Sequence, residues 1–518
     1  MTDTEDRVVV PASTNGHHEA AGFGPAAIVA GDPRYDSMVR GTNHRFVASP
    51  DFVCVVTSTE QVLEVVGAAV ADGRRITVRS GGHGFEDFAT ADSGVLLDMS
   101  EMTKVYFDQQ RLAFAIEPGA TLGHVYRTLF KGWNVTIPAG EGVEVGVGGH
   151  FAGGGFGPLS RRLGAVVDYV YAVEVVVVGE DGTARVVVAT REPDDPNRDL
   201  WWAHTGGGGG NFGIATRYWV RSPGASSTDP AELLPKAPAQ WRSAVVGWSW
   251  DSITEAGFKR MMRNVGAWFE RNSDPGSPHA NHSAFFYASH RSGGILSIGA
   301  MIDEDIEGAG ELLEEYFTAI GAGVGAEPVF RHETVRPWLY FAAYPGHGDQ
   351  GTPDNRRIKI KAAYLRKGYT ESQIDTIWRH LGSDGTNGAG LILIAYGGAV
   401  NTVAPEETAT AQRDSILKAA FISWWADEAE DETIIGQLQA LYRDVYAETG
   451  GVPVPNEYND GSYINYPDAD LADPALNTSG VPWSTLYYKD NYPRLQRIKK
   501  RYDPNNVFRH RLSIELPD

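Results

Sequence analysis

A short strand-like run, Arg75-Ile76-Thr77-Val78, leads without a break into Arg79-Ser80-Gly81-Gly82-His83. This stretch limits the possible folds more than any other. The run predicts a β-strand, and the two glycines after it let the backbone bend and approach a ligand where side chains would intervene. Such a turn can point consecutive backbone N–H groups toward a pyrophosphate. The histidine at its end is placed to touch a cofactor ring.

The residues before the turn predict the unit that delivers it. Phe52 to Val56 reads as a strand, and Ser58 with Gln61 makes an S-x-x-Q capping box. Val62, Val65, Val66, Ala69 and Val70 then share one helical face, and Gly73 ends the helix. Strand, helix and strand therefore end on the glycine turn. Downstream, Val173 to Val178 and Arg185 to Ala189 flank Glu180-Asp181-Gly182 as a hairpin. Two further glycine-dense stretches, residues 140–157 and 206–213, carry interleaved large apolar residues and are not linkers.

With 518 residues the chain exceeds the roughly 250–300 that one core supports, so at least two lobes are expected. A shift to Pro, Ser, Ala and Asp over residues 222–238 marks a boundary. Beyond it, Ala284 to Tyr287, Ile295 to Ile298 and Leu391 to Tyr396 read as strands. Thr370 and Gln373 cap a helix carrying Ile374, Ile377, Trp378 and Leu381 on one face, and Tyr492 to Lys500 predicts another helix.

The net charge of −21 argues against nucleic-acid or anionic-membrane partners. Cys54 is the one cysteine, so no intrachain disulfide forms. No basic segment followed by an apolar run opens the chain, and no stretch of about 20 apolar residues occurs, so a cytoplasmic protein is expected. Gly146-Val147-Gly148-Gly149-His150 does not complete G-x-G-x-x-G, and there is no P-loop. No metal-ligand spacing is present; His279 and His282 lie in a Pro/Ser/Asn context and are expected to be solvated.

Four segments together resemble the berberine-bridge-enzyme-like family of FAD oxidases. They are the turn at residues 79–83, the glycine run from Gly148-Gly149-His150 to Gly157, residues 206–213, and Asn465-Tyr466-Pro467-Asp468. The closing segment Tyr502-Asp503-Pro504-Asn505-Asn506-Val507-Phe508 is similar to that family's, and the order of motifs fits from about residue 45 to 514. Asp199 to Gly206 and Gly157 to Arg162 look most like natural-product oxidases, in particular the hexose oxidases of glycopeptide-antibiotic pathways.

The resemblance implies an α+β fold with a PCMH-type FAD-binding lobe and an α/β substrate lobe. The expected divisions are a flexible segment over 1–39, the FAD lobe over 40–222, the substrate lobe over 223–455, and a segment from 456–518 returning to the FAD lobe. It implies FAD joined through His83, with cofactor contacts from Arg79, Ser80, Gly81, Gly82 and Gly84. Val145, Gly146, Gly148, Gly149, His150, Gly153, Gly154 and Gly155 would supply more, as would Gly210, Asn211, Gly213 and Ile214. Many relatives link the flavin a second time through a cysteine where this chain has Gly142. A single link is therefore expected, and Cys54 is expected to be buried. Val145 matches an oxygen-gating position, or simply packs.

By the same resemblance Tyr466 is the catalytic base and Tyr396 a second active-site tyrosine, unless Tyr396 is a core residue. Some relatives have a second tyrosine where Phe156 stands. A phenol ordinarily titrates at about 10, so a base needs a cation nearby. Lys359, Lys361, Arg366 and Lys367 are candidates, although Lys359-Ile360-Lys361 also fits a strand with one solvated face, the favoured expectation. Trp241, Trp248, Trp250, Trp338, Tyr340 and Phe341 could line a bulky ligand site or form core. The implied activity is hydride removal from an alcohol or sugar carbon of a small natural product, with O2 reduced to H2O2. Oxidative cyclisation or dehydrogenation of a polyketide- or alkaloid-like substrate is the alternative, and a non-catalytic flavin-carrying binding protein the third.

Overall fold

The computed structural model describes residues 26–90, 92–343 and 356–517. Of the flexible segment expected over 1–39, residues 1–25 lie outside them, whereas Ala26–Ile28 forms a strand and Tyr35–Met38 a short helix. The fold is α+β and is built on three sheets.

The first sheet has four strands in the order Ala26–Ile28, Phe52–Val55, Val95–Asp98, Ile76–Arg79, the last three parallel. Helix Thr59–Ala71 joins its strands, and the Ser58 side chain caps it by accepting from the Gln61 N–H. The Gln61 side chain reaches one residue further back than a regular box, accepting from the Thr57 N–H at 2.7 Å. Such a cap contributes about 1 kcal/mol. Val62, Val66 and Ala69 are buried against Cys54, Ile76 and Val95, as the periodicity predicts. Gly73 adopts a positive φ of 65° and turns the chain out of the helix.

The second sheet is antiparallel, in the order Val105–Asp108, Ala113–Ile116, Ile214–Val220, Val170–Val178, Ala184–Thr190. It contains the predicted hairpin. The third sheet is antiparallel with seven strands. Their order is Phe330–Pro337, Gln240–Ser249, Ile295–Asp303, His282–Ser289, Ala389–Ala395, Leu417–Trp425, Arg357–Leu365. Helices Glu255–Asn272, Ala309–Gly321, Glu371–Leu381 and Asp431–Val445 cover one side.

Two expectations are corrected here, and one left open between two readings is decided. Every residue of the edge strand Arg357–Leu365 is buried, so Lys359 and Lys361 do not face solvent. Buried carboxylates meet them, and that is why an alternating Lys-Ile-Lys pattern misleads. His279 and His282 are also buried, packed around Trp268 and Tyr316. Trp241, Trp248, Trp250 and Trp338 belong to the core and are not part of the lining of the cavity beside the glycine turn.

The C-terminal helix Tyr492–Tyr502 packs on helix Arg198–Ala203. Lys499, fully buried, donates to the Asn211 carbonyl at 2.6 Å, to Asp503 at 2.6 Å and to the Phe508 carbonyl at 2.5 Å. One ammonium thereby fastens the closing segment to the third glycine stretch. Phe508 then enters the core of the first sheet.

Candidate active site

The strand Ile76–Arg79 ends at the rim of a cavity of about 470 Å³. The glycine turn forms one wall: Ser80, Gly81, Gly82, His83 and Gly84 all line it. Gly82 has φ 71°, a conformation that favours glycine. A Cβ on Gly81 would stand 2.5 Å from the Gly146 nitrogen, so the first and second glycine segments are in backbone contact. Ser80 Oγ donates to the Pro118 carbonyl at 2.5 Å and holds the turn from behind.

Val145, Gly146, Gly148, Gly149 and His150 form the adjoining wall, and Gly208 to Ile214 the third. A Cβ on Gly149 would meet nothing within 4 Å, so its backbone faces open volume. The Asn211 amide donates to the carbonyls of Gly207, Gly208 and Gly209 and shapes that loop from inside. The His150 ring accepts from the Gly140 N–H at 3.0 Å. Burial, with Lys418 adding to it, lowers the His150 pKa to about 4, so the ring is neutral. Three backbone-lined walls with few charged side chains suit a dinucleotide whose phosphates are bound by N–H groups, and FAD fits this cradle.

Four of the residues expected to touch a cofactor do not line the cavity. The Arg79 guanidinium is committed to Asp98 at 2.5 Å and to the Arg40 carbonyl at 3.0 Å. Gly153, Gly154 and Gly155 instead admit other segments. A Cβ on them would run into Asn465, Thr410 and His150 respectively.

Tyr466 stands on the cavity wall beside Tyr463 and Asn465, with Phe85, Phe156 and Ile394 also lining. The Asn465 amide donates to the His150 carbonyl at 2.9 Å, which ties the Tyr466 segment to the second glycine stretch. The Tyr466 ring meets Phe85 edge-on at 5.5 Å and Tyr463 at 5.1 Å. Burial, with a smaller effect of Glu141, pushes its phenol up to about 12. Tyr396 does not line the cavity. It packs behind Phe156, 5.9 Å between rings, and is almost fully buried. Burial holds its phenol at about 12 despite Arg413.

None of the four candidate cations acts on Tyr466. Lys359 and Lys361 bind carboxylates, Arg366 binds Asp414 and Asp460, and Lys367 lies near Glu457 at the surface. Lys418, which belongs to no sequence motif, stands behind the cavity wall. Its Nζ sits 3.3 Å from the Phe156 ring centre, 3.5 Å from that of Tyr463, and 4.6 Å from those of Tyr364 and Tyr396. Among the described residues it has no hydrogen-bond partner, and burial lowers its pKa well below the usual lysine value. A lone lysine near the start of the apolar strand Leu417–Trp425 is the one signal of it in the sequence.

The cavity also takes in Phe88, His204, Phe508, Arg509 and His510. His510 stacks on Phe88 at 4.0 Å and approaches the Gly209 carbonyl at 3.1 Å. Gly142 lines the cavity and offers no thiol there, and Cys54 lies buried on strand Phe52–Val55.

Comparison with known proteins shows the family to which the chain is similar. Residues 50–187 match the FAD-binding domain family model and residues 462–515 the berberine and berberine-like model. The aclacinomycin-N/aclacinomycin-A oxidase of Streptomyces galilaeus is 51% identical over 94% of this chain and 89% of its own. The hexose oxidase of Chondrus crispus is 31% identical over 93% of each. The glycopeptide hexose oxidase DBV29, solved with teicoplanin, superposes with a TM-score of 0.90 at 49% identity, covering 95% of this chain and 99% of its own. No helix among the described residues is long and apolar enough to cross a membrane.

Proposed function

The chain belongs to the berberine-bridge-enzyme-like family of FAD-linked oxidases, and we propose that it oxidises a hydroxyl-bearing carbon of a glycosylated natural product. The observation that carries this reading is Tyr466, a phenol on the wall of the same cavity that the glycine turn lines. Ser80 to Gly84, Gly146 to Gly149 and Gly208 to Ile214 would hold FAD, with His83 its single covalent anchor because Gly142 offers no thiol. When bound, FAD supplies a two-electron hydride acceptor that O2 restores with release of H2O2.

Tyr466 takes the proton of the substrate hydroxyl as hydride leaves the adjacent carbon. Pairing the two events avoids a free alkoxide or carbocation. Its raised pKa opposes the phenolate, so Tyr466 serves as a base increasingly well as pH rises. Lys418 lies behind the neighbouring ring of Tyr463, and since burial lowers its own pKa it is not the source of a fixed charge for Tyr466. Tyr396, behind Phe156, supports this wall and does not touch substrate.

The relatives' names, an aclacinomycin oxidase and two hexose oxidases, support a sugar carbon as the target. The apolar wall of Phe85, Phe88, Phe156 and Ile394 also suits the rings of a polyketide-like substrate undergoing dehydrogenation or closure. Aerobic incubation with aclacinomycin-type and glycopeptide substrates separates the two. The sugar reading predicts a product two hydrogens lighter in its sugar and one H2O2 per turnover. Hydrogen loss confined to the aglycone, or a new ring, contradicts it.

A further inference from the structure

Five charged side chains meet in the interior and have no place in the chemistry above. Lys359 Nζ lies 2.8 Å from Glu86, 2.8 Å from Asp468 and 3.3 Å from Asp470. Lys361 Nζ lies 2.6 Å from Asp468 and 2.8 Å from Asp470. Asp468 is fully buried, and the side chains of Glu86, Lys359 and Lys361 are 3–4% exposed.

These residues come from three separate parts of the chain. Glu86 follows His83 in the run His83-Gly84-Phe85-Glu86, and Asp468 follows Tyr466 in Tyr466-Pro467-Asp468. The two lysines lie on Arg357–Leu365, the last strand of the seven-stranded sheet, where neighbouring side chains point to opposite faces. On one face Ile358 and Ile360 pack with Phe85 and Tyr466. On the other stand Lys359 and Lys361, with Lys361 Nζ 4.8 Å from the Tyr442 ring centre on helix Asp431–Val445. Both loops therefore straddle the free edge of the strand. Each rests a ring on the cavity face and passes a carboxylate around to the far face.

We infer that Glu86, Lys359, Lys361, Asp468 and Asp470 form a positioning clasp that fixes the His83 loop and the Tyr466 loop at a set separation. The inference rests on the roles proposed above for His83 and Tyr466. The bridging residue is Lys359, which alone bonds both loops. Asp468 joins the two lysines, and Gln439 holds Asp470 at 3.0 Å. Three carboxylates face two ammonium groups, and the Arg45 guanidinium, which donates to the Ile358 carbonyl at 3.0 Å, feels the Glu86 and Asp470 charges from nearby. Asn43 adds a charge-free tie, donating to the Phe85 carbonyl at 3.0 Å and accepting from the Ile358 N–H at 3.0 Å.

Buried ion networks stabilise little beyond what apolar packing would, because desolvation offsets the attraction. They do exact geometry, since each partner must keep its place or leave a charge unpaired. A displacement of about 1 Å between a base and its target can cost about a hundredfold in rate. A clasp at the root of both loops is where such precision would be set.

The test uses the FAD-loaded holoenzyme and Glu86→Gln, which keeps size and leaves Lys359 paired with Asp468. Hydrogen exchange read by mass spectrometry should accelerate at least tenfold over residues 463–470, although residue 86 lies outside that segment. FAD content should stay at the wild-type level. With a substrate that reduces the wild type, kcat should fall roughly 10- to 100-fold with KM within about twofold. Lys359→Arg keeps the charge but not the three-way contact, and carries the same expectations if Glu86→Gln does not accumulate folded. Unchanged exchange at 463–470, or acceleration spread evenly over all elements, overturns the clasp. Tyr466→Phe in parallel keeps the proposals separate: if it leaves turnover intact the base assignment fails, whereas the exchange result still decides the clasp.

Discussion

His83 and Tyr466 both stand out in the sequence, each in a motif whose neighbours are small or rigid. Lys418 does not, because a single lysine in an apolar strand looks like an outward-facing position. Only the tertiary structure shows four rings closing around it. Arg79 misleads in the opposite direction. It sits in the turn, but its charge is spent on Asp98. The covalent anchor is tested at this scale. On a denaturing gel under ultraviolet light, flavin fluorescence should travel with the wild-type band and be absent from His83→Ala. Equal release of flavin from both proteins would place the link elsewhere or nowhere.

At the scale of elements, local chemistry is legible wherever it is self-contained. The Ser58 and Thr370 caps, the hairpin and the closing helix follow from side chains within a few residues of one another. The strand Arg357–Leu365 misleads because its burial depends on carboxylates more than 100 residues away in sequence. The glycine stretches look like one kind of element but do two jobs. Gly81, Gly82, Gly146 and Gly149 shape the cavity, whereas Gly153 to Gly155 make room for other segments. Gly81→Ala should therefore hit the cofactor site directly. Its Cβ would press on Gly146 backbone, and overpacking of this kind costs about 1–3 kcal/mol. We expect a lower melting temperature and FAD content below half of wild type after purification. Full FAD occupancy in Gly81→Ala would show that the two loops are free to separate.

At the scale of the whole molecule, the α+β class follows from alternating patterns and the resemblance, but the order of the seven-stranded sheet does not. Its pairings join residues far apart, such as Phe285 with Ile394, and no local pattern encodes them. Burial of histidines is equally invisible in sequence, and it has a global consequence. The pKa of His204, nearly fully buried, is lowered by desolvation to about 4, and that of His282 is also far below normal. Between these values and the ordinary 6.5 the unfolded chain binds protons that the folded chain refuses. Their contribution is therefore complete above about pH 6.5 and is lost as pH falls toward 4. His204 alone accounts for up to about 3 kcal/mol. Denaturant unfolding at pH 7, 6, 5 and 4 should show stability declining through this window, and replacing His204 with Gln should flatten the decline. Stability that stays level from pH 7 to 4 would mean the histidines are hydrated in solution.

The account depends most on Tyr466 facing a bound flavin. Anaerobic stopped-flow mixing with a substrate that bleaches the wild type measures this directly, because reduction is observed before oxygen enters. Since the phenol is raised to about 12, the wild-type reduction rate should climb as pH rises from 7 to 10. Tyr466→Phe, with unchanged FAD content, should reduce at least 100-fold more slowly and lose that slope. Reduction of Tyr466→Phe at the wild-type rate, with the same pH dependence, would contradict the account.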